Sequence, residues 1–173
     1  KEAKVLANLD HPHIVPVRDA GELEDGRRYV VYRLVEGSNL REVIKTTRLD
    51  HRESADTAAT IAEALHAAHR KKLVHRDLKP SNIMVADGGH VKVLDFGLAR
   101  LTYAGGEVPE ETLTTPGIVL GSCPYMSPEQ ALGDKVGSAS DIYSFGSVAY
   151  EVLSGRRAFE GSTPVQVMQA VAR

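Results

Sequence analysis

The chain is predicted to fold as an α+β domain, on three observations. Short runs rich in β-branched and apolar residues, at 14–17, 29–35, 83–85 and 91–94, read as strands punctuated by turn residues. Two longer stretches carry helical signals: 50–70 repeats apolar residues along one face, and 141–154 is apolar on most sides. The composition, 42% apolar and 25% charged over 173 residues, is ordinary for a globular protein and sufficient for a substantial core.

The same composition excludes several classes. A formal net charge of -2 argues against nucleic-acid binding through bulk charge. No run of eighteen apolar residues is present, so no membrane-spanning segment is predicted within the chain. Cys123 is the single cysteine, which excludes an internal disulfide and suits a reducing compartment; a cytoplasmic location is the expectation. His66 and His69 lie one helical turn apart, but no carboxylate or cysteine stands at ligand spacing to make them a zinc site. The chain opens on Lys1-Glu2-Ala3 without methionine or signal-peptide pattern and reads as a fragment.

In order, Val5, Leu6 and Leu9 have helical spacing and read as the end of an amphipathic helix stopped by His11-Pro12. The strands at 14–17 and 29–35 are joined by the turn Glu24-Asp25-Gly26-Arg27, and Glu36-Gly37-Ser38 breaks the second before a helix at 40–46. Asp50 followed by Glu53 forms a capping-box variant that opens the helix to about Arg70, with Ala58, Ile61, Ala62, Leu65 and Ala68 on its apolar face. Its basic end, His69-Arg70-Lys71-Lys72, suits the negative helix terminus and needs no ligand. Residues 83–85 and 91–94, joined by Asp87-Gly88-Gly89, form a hairpin that fixes Asn82 and Asp95 at its two ends. From 98 to 120 periodicity is lost, and glycine, proline, acidic and threonine residues accumulate. The helix at 141–154 should be buried and stops at Gly155; Thr163-Pro164-Val165-Gln166 opens a further helix.

The chemistry is concentrated in His75-Arg76-Asp77-Leu78-Lys79-Pro80-Ser81-Asn82. It holds a carboxylate, an ammonium and a carboxamide at fixed offsets, and Pro80 biases Lys79 away from helix, so a loop should aim these groups. Thirteen residues after Asn82 comes Asp95-Phe96-Gly97, a second carboxylate at a strand end. One carboxylate to receive a hydroxyl proton and two oxygen ligands for magnesium are what phosphoryl transfer from a nucleotide requires. The spacing resembles the protein kinase signature, H-R-D-L-x-x-x-N followed by D-F-G. The D-L-K-P-x-N form is similar to the serine/threonine branch, and Ser127-Pro128-Glu129-Gln130 looks like its bacterial members.

That resemblance implies a two-lobed kinase fold: a partial small lobe at 1–35, a hinge at 36–39, and a mainly helical large lobe at 40–173, truncated in its later helices. It implies ATP and Mg2+ as cofactors, with Asp77, Lys79, Asn82 and Asp95 catalytic and Asn82 and Asp95 holding the metal. Glu2 would pair with a strand lysine, or else be a solvated helix residue. Tyr32 would back the adenine pocket, backbone groups of Arg33 and Val35 would bind the adenine edge, and Met84 would be its floor or a plain core methionine. Arg33 departs from the acidic residue often found there. Arg76 and Arg100 occupy positions of a basic pocket that would clamp a phosphate on Thr114 or Thr115. Residues 121–129 resemble the substrate-docking loop, with Ser122, Tyr125 and Glu129 at its marked positions. Ser122 replaces the usual threonine and Ser127 the usual alanine, and the arginine that Glu129 would normally meet is lacking. His75, Phe96 and Asp141 would be structural, Asp141 binding backbone of the catalytic loop. The implied partner is a protein with a Ser or Thr acceptor, with self-association for autophosphorylation of the loop. With no Gly-rich loop or strand lysine among these residues, the isolated chain is expected to be inactive. The alternative function is a pseudokinase, a nucleotide-responsive binding module.

Overall fold

A computed structural model describes residues 9–96 and 122–173. The helix expected up to residue 9 falls almost wholly outside them, although Leu9 is buried in the core with Ile14 and Leu40. The strand expected at 14–17 is reduced to a single parallel bridge from Ile14 to Val93. Pro16 has no N–H with which to extend a ladder. Regular pairing starts one residue later, with β1 (Val17–Glu22) antiparallel to β2 (Arg28–Tyr32) and an irregularity between Val17 and Asp19. The turn between them closes through Leu23 N–H to the Arg27 carbonyl at 2.8 Å, with Gly26 at φ 83°. β2 ends sooner than expected, and Arg33 makes one more bond, to the Pro16 carbonyl at 3.0 Å.

Residues 36–38, expected only to break a strand, include most of one. β3 (Gly37–Asn39) pairs with β4 (Ile83–Ala86), which pairs with β5 (Val91–Val93), all antiparallel. Gly37 makes this approach feasible: at φ 138°, a Cβ there would stand 2.2 Å from the Val85 carbonyl oxygen. α1 (Leu40–Thr46) follows directly, capped by Asn39, whose side chain accepts from Glu42 N–H at 3.1 Å.

α2 (His51–Arg70) carries the predicted capping box. Glu53 N–H donates to Asp50 at 2.8 Å and Asp50 N–H to Glu53 at 2.9 Å, a cap worth about 1 kcal/mol. Its buried stripe is Ser54, Thr57, Ile61, Ala64, Leu65 and Ala68, a rotation from the expected face that leaves Ala58 and Ala62 half-buried. The rotation brings small residues against the helix opposite, where the Ser54 hydroxyl reaches the Val152 carbonyl at 3.5 Å.

That opposite helix, α4 (Ser138–Ser154), follows the short α3 (Pro128–Leu132) and ends at Gly155 in a left-handed cap, φ 70°. It packs along α2. Contrary to expectation, its most apolar positions are not all inside. Ser140, Asp141, Ser144, Ser147, Val148 and Val152 are buried, whereas Ile142, Tyr150 and Leu153 are exposed. Small side chains let the backbones approach, and Ser144 and Ser147 satisfy their hydroxyls on the carbonyls of Ser140 and Tyr143. α5 (Pro164–Val171) opens on Thr163 with Pro164 in its first turn. Among the described residues no helix is long and apolar enough to cross a membrane.

Candidate active site

α2 delivers the chain into the loop before β4. Lys72 turns it at φ 60°, Leu73 anchors it in the core, and His75 follows fully buried. The His75 ring is tied on both nitrogens: Nε2–H donates to the Leu94 carbonyl at 2.8 Å, while Nδ1 accepts from Asp77 N–H at 3.3 Å. These two bonds define the neutral, Nε2-protonated tautomer. The ring also packs on Phe96, centroids 4.8 Å apart.

Burial is the largest influence on His75 and holds its pKa below the ordinary 6.5, against weaker opposing pulls from Asp141, Asp77, the Leu94 carbonyl and Asp95. The unfolded chain therefore takes up a proton below about pH 6.5 that the folded chain declines, and stability falls as the solution is acidified. Urea unfolding of the full-length protein should show a lower midpoint at about pH 5.5 than at pH 7.5. His75→Gln should flatten that dependence; an unaltered slope would mean another group is responsible.

Asp141 reaches up from the first turn of α4 and is itself fully buried. Its Oδ2 accepts from His75 N–H at 2.8 Å and from His69 Nε2 at 2.7 Å; its Oδ1 accepts from Arg76 N–H at 2.8 Å. Arg76 needs that hold, since its φ of 69° is unfavourable for a residue with a Cβ. The backbone contact expected of Asp141 is present. His69, read from the sequence as a helix end in need of no ligand, is a partner of this carboxylate, and only the fold reveals it.

Beyond Arg76 the polar groups converge. Lys79 Nζ lies 2.5 Å from Asp77 Oδ2 and 2.9 Å from Ser122 Oγ. Asn82 Nδ2 donates to the Asp77 carbonyl at 2.8 Å and approaches its Oδ2 at 3.4 Å. Lys79 is extended, as Pro80 dictates, but residues 80–82 form a 3-10 turn where a plain loop was expected. That turn closes on Asn82 N–H to the Lys79 carbonyl at 2.9 Å. Asn82 is buried, while the Asp77 side chain keeps 39% of its exposure and so remains accessible.

The hairpin supplies the second carboxylate. Ile83 pairs with Val93, and Leu94 N–H donates to the Asn82 carbonyl at 2.9 Å, so Asp95 leaves β5 beside Asn82 at the open end. Asp95 has φ 64°, a second left-handed residue in the site. Tyr32, at the end of β2, brings a buried hydroxyl toward Asp95. Burial, then the adjacent Asp95 carboxylate, push its ionisation well above the ordinary value.

The other expected residues are spread around this cluster. Arg33 is exposed, Val35 half-buried, and Met84 sits mid-sheet opposite Asn39 and Lys92. Tyr125 donates to Glu151 at 2.5 Å. Glu129 accepts from the Ser140 hydroxyl, which holds its carboxyl below the usual range. Glu129, whose usual arginine partner was read from the sequence as lacking, thus meets a serine hydroxyl. Gln130, read from the sequence only as part of Ser127-Pro128-Glu129-Gln130 and given no role, donates from Nε2 to the Arg76 carbonyl at 2.6 Å. Its position three residues after Ser127, at N3 of a capping box, was the available signal. Glu2, Arg100, Thr114 and Thr115 lie outside the described residues.

The protein kinase domain family matches residues 1–173. The chain belongs to the protein kinase domain family. It is 40% identical over 171 residues to serine/threonine-protein kinase PknB of Mycobacterium tuberculosis (strain ATCC 25177 / H37Ra), covering 96% of the chain and 27% of the relative. PknB of Mycobacterium leprae (strain TN) is 39% identical with the same coverage. PknA of the same M. tuberculosis strain is 43% identical, with 96% and 38% covered. The chain therefore spans well under half the length of these relatives.

Protein kinases as a family use ATP and Mg2+ and act on proteins. The donor set of this kinase domain fits magnesium. Asn82 uses its N–H2 on Asp77, which leaves the amide oxygen as an acceptor, and the bond from Leu94 N–H to the Asn82 carbonyl brings Asp95 to the same end of the hairpin. Among the described residues no cluster of three or more His, Cys, Asp or Glu forms a closed metal cage. Magnesium favours such an open pair, completed by waters and phosphate oxygens.

Proposed function

We propose that this chain is the catalytic domain of a serine/threonine protein kinase that moves the γ-phosphate of ATP to Ser or Thr hydroxyls of proteins. The observation that carries this reading is the hydrogen-bonded cluster of Asp77, Lys79, Asn82 and Ser122. Asp77 is accessible, fixed through Lys79, and placed to orient a substrate hydroxyl and accept its proton as the new O–P bond forms. Lys79 would neutralise charge gathering on the phosphoryl oxygens, a task suited to a donor already held by two acceptors. Asn82 and Asp95 would hold magnesium. When bound, that ion would supply positive charge that offsets the charge of the phosphate groups.

The remaining assignments extend the same reading. The small lobe would be 1–35 and the hinge 36–39, with 40–173 the large lobe. Tyr32, backbone of Arg33 and Val35, and Met84 would line the adenine site, and Glu2 would pair with a strand lysine. Ser122, Tyr125 and Glu129 would shape the substrate-docking segment, while His75, Phe96 and Asp141 support the loop. Phosphate on Thr114 or Thr115, gripped by Arg76 and Arg100, would order the segment between them, with self-association supplying that phosphate. The domain would work in the cytoplasm.

Incubating the full-length protein with γ-labelled ATP and a Ser/Thr peptide should transfer label to the peptide. Chelation with EDTA should stop transfer, and added magnesium should restore it. Nucleotide binding without transfer at saturating magnesium would instead favour a binding module.

A further inference from the structure

Gln130 occupies a position that helix capping alone does not explain. Its Oε1 accepts from Ser127 N–H at 3.0 Å, and its own N–H donates to Ser127 Oγ at 3.4 Å, the reciprocal box that opens α3. Glutamate would serve that purpose at least as well, since a negative charge is favoured in the first turn of a helix. The difference between the two side chains lies at the other end of the carboxamide. There Nε2 donates to the Arg76 carbonyl at 2.6 Å, a bond that a carboxylate cannot make.

Arg76 is the left-handed residue directly before Asp77. Within the 76–77 peptide Gln130 holds the Arg76 carbonyl and His75 Nδ1 the Asp77 N–H, while Asp141 holds the Arg76 N–H one peptide earlier. Rotating the 76–77 peptide would swing the Asp77 carboxylate away from Lys79. We propose that Gln130 is a positioning residue: it fixes the orientation of the Arg76–Asp77 peptide and ties the expected substrate-docking segment to the proton-accepting carboxylate. The kinetic part of this inference rests on the kinase reading above; the structural part stands on the two hydrogen bonds.

The test uses Gln130→Glu in the full-length protein, which keeps the acceptor for Ser127 and loses the donor to Arg76. Peptide phosphorylation should slow about tenfold in kcat, the equivalent of one lost hydrogen bond, with the KM for ATP unchanged. The deficit relative to the parent should narrow toward acidic pH, as the new carboxyl gains a proton that it can donate to Arg76. Amide hydrogen exchange should quicken in residues 75–82 while α2 and α4 keep their protection. Parent-like kcat, or exchange that quickens equally in α2 and α4, would overturn the proposal. If the parent transfers no phosphate, the kinase reading fails, and exchange in 75–82 still decides whether Gln130 holds the loop.

Discussion

Replacing Asp77 with asparagine in the full-length protein should abolish measurable phosphoryl transfer and leave nucleotide affinity unchanged. The substitution preserves size and one oxygen near Lys79, so the loop has little reason to rearrange. What it removes is a group able to accept the hydroxyl proton, an effect of about 10²- to 10⁴-fold on kcat. Asn82 and Asp95 are untouched, and neither the hairpin register nor the Leu94 to Asn82 bond depends on the Asp77 carboxylate. The measurement is kcat with a Ser/Thr peptide, paired with titration calorimetry using an ATP analogue. A variant that keeps parent turnover would refute the assignment of Asp77, whereas one that loses both turnover and nucleotide binding would point to a collapsed site.

Asp141→Ala should be the most destabilising change in the site. The carboxylate is fully buried and serves His69 and two successive backbone amides, those of His75 and Arg76. Truncation strands the buried His75 N–H and leaves the part-buried His69 and Arg76 donors without this partner, for which about 3–5 kcal/mol is the expected loss. It also releases the left-handed Arg76, so turnover should fall by more than stability alone accounts for. Asp141→Asn keeps one acceptor oxygen but adds an N–H2 facing donors, and should fall between the parent and alanine. Urea unfolding compares the three; a loss below about 1 kcal/mol for alanine would show that water or a neighbour takes over the orphaned groups.

The placements of Lys79, Asn82 and Asp95 were legible in the sequence because local rules set each, whereas the turn that carries Asp77 is held by Asp141 and Gln130 from far along the chain. Pro80 sets Lys79, the glycine turn at 88–89 sets the hairpin, and the hairpin register sets Asp95. The Asp50 cap and the extent of α2 were readable for the same reason, since capping is written in adjacent residues. Less was visible wherever the deciding contact is distant in the chain. β3 forms only because Gly37 can lie against Val85, and its three residues carry no strand pattern. The serine face of α4 runs against the hydrophobicity signal, because close packing selects for small volume as well as apolar character. His69 and Gln130 each meet a partner more than fifty residues away, through ordinary side chains that could equally have faced solvent.

The β4–β5 hairpin has one end that the site depends on and one that it does not. Asn82 and Asp95 flank its open end, in a register fixed by Ile83 opposite Val93, while at the opposite turn nothing among the described residues lies within reach of a Cβ at Gly89. Extra or missing residues can therefore accumulate at the tip with Asn82 and Asp95 undisturbed. A single insertion inside either strand shifts Asn82 and Asp95 past one another and flips the buried face outward. A change of length that leaves Asn82 and Asp95 in register thus belongs at one corner, and that corner is a natural place to graft a tag or label.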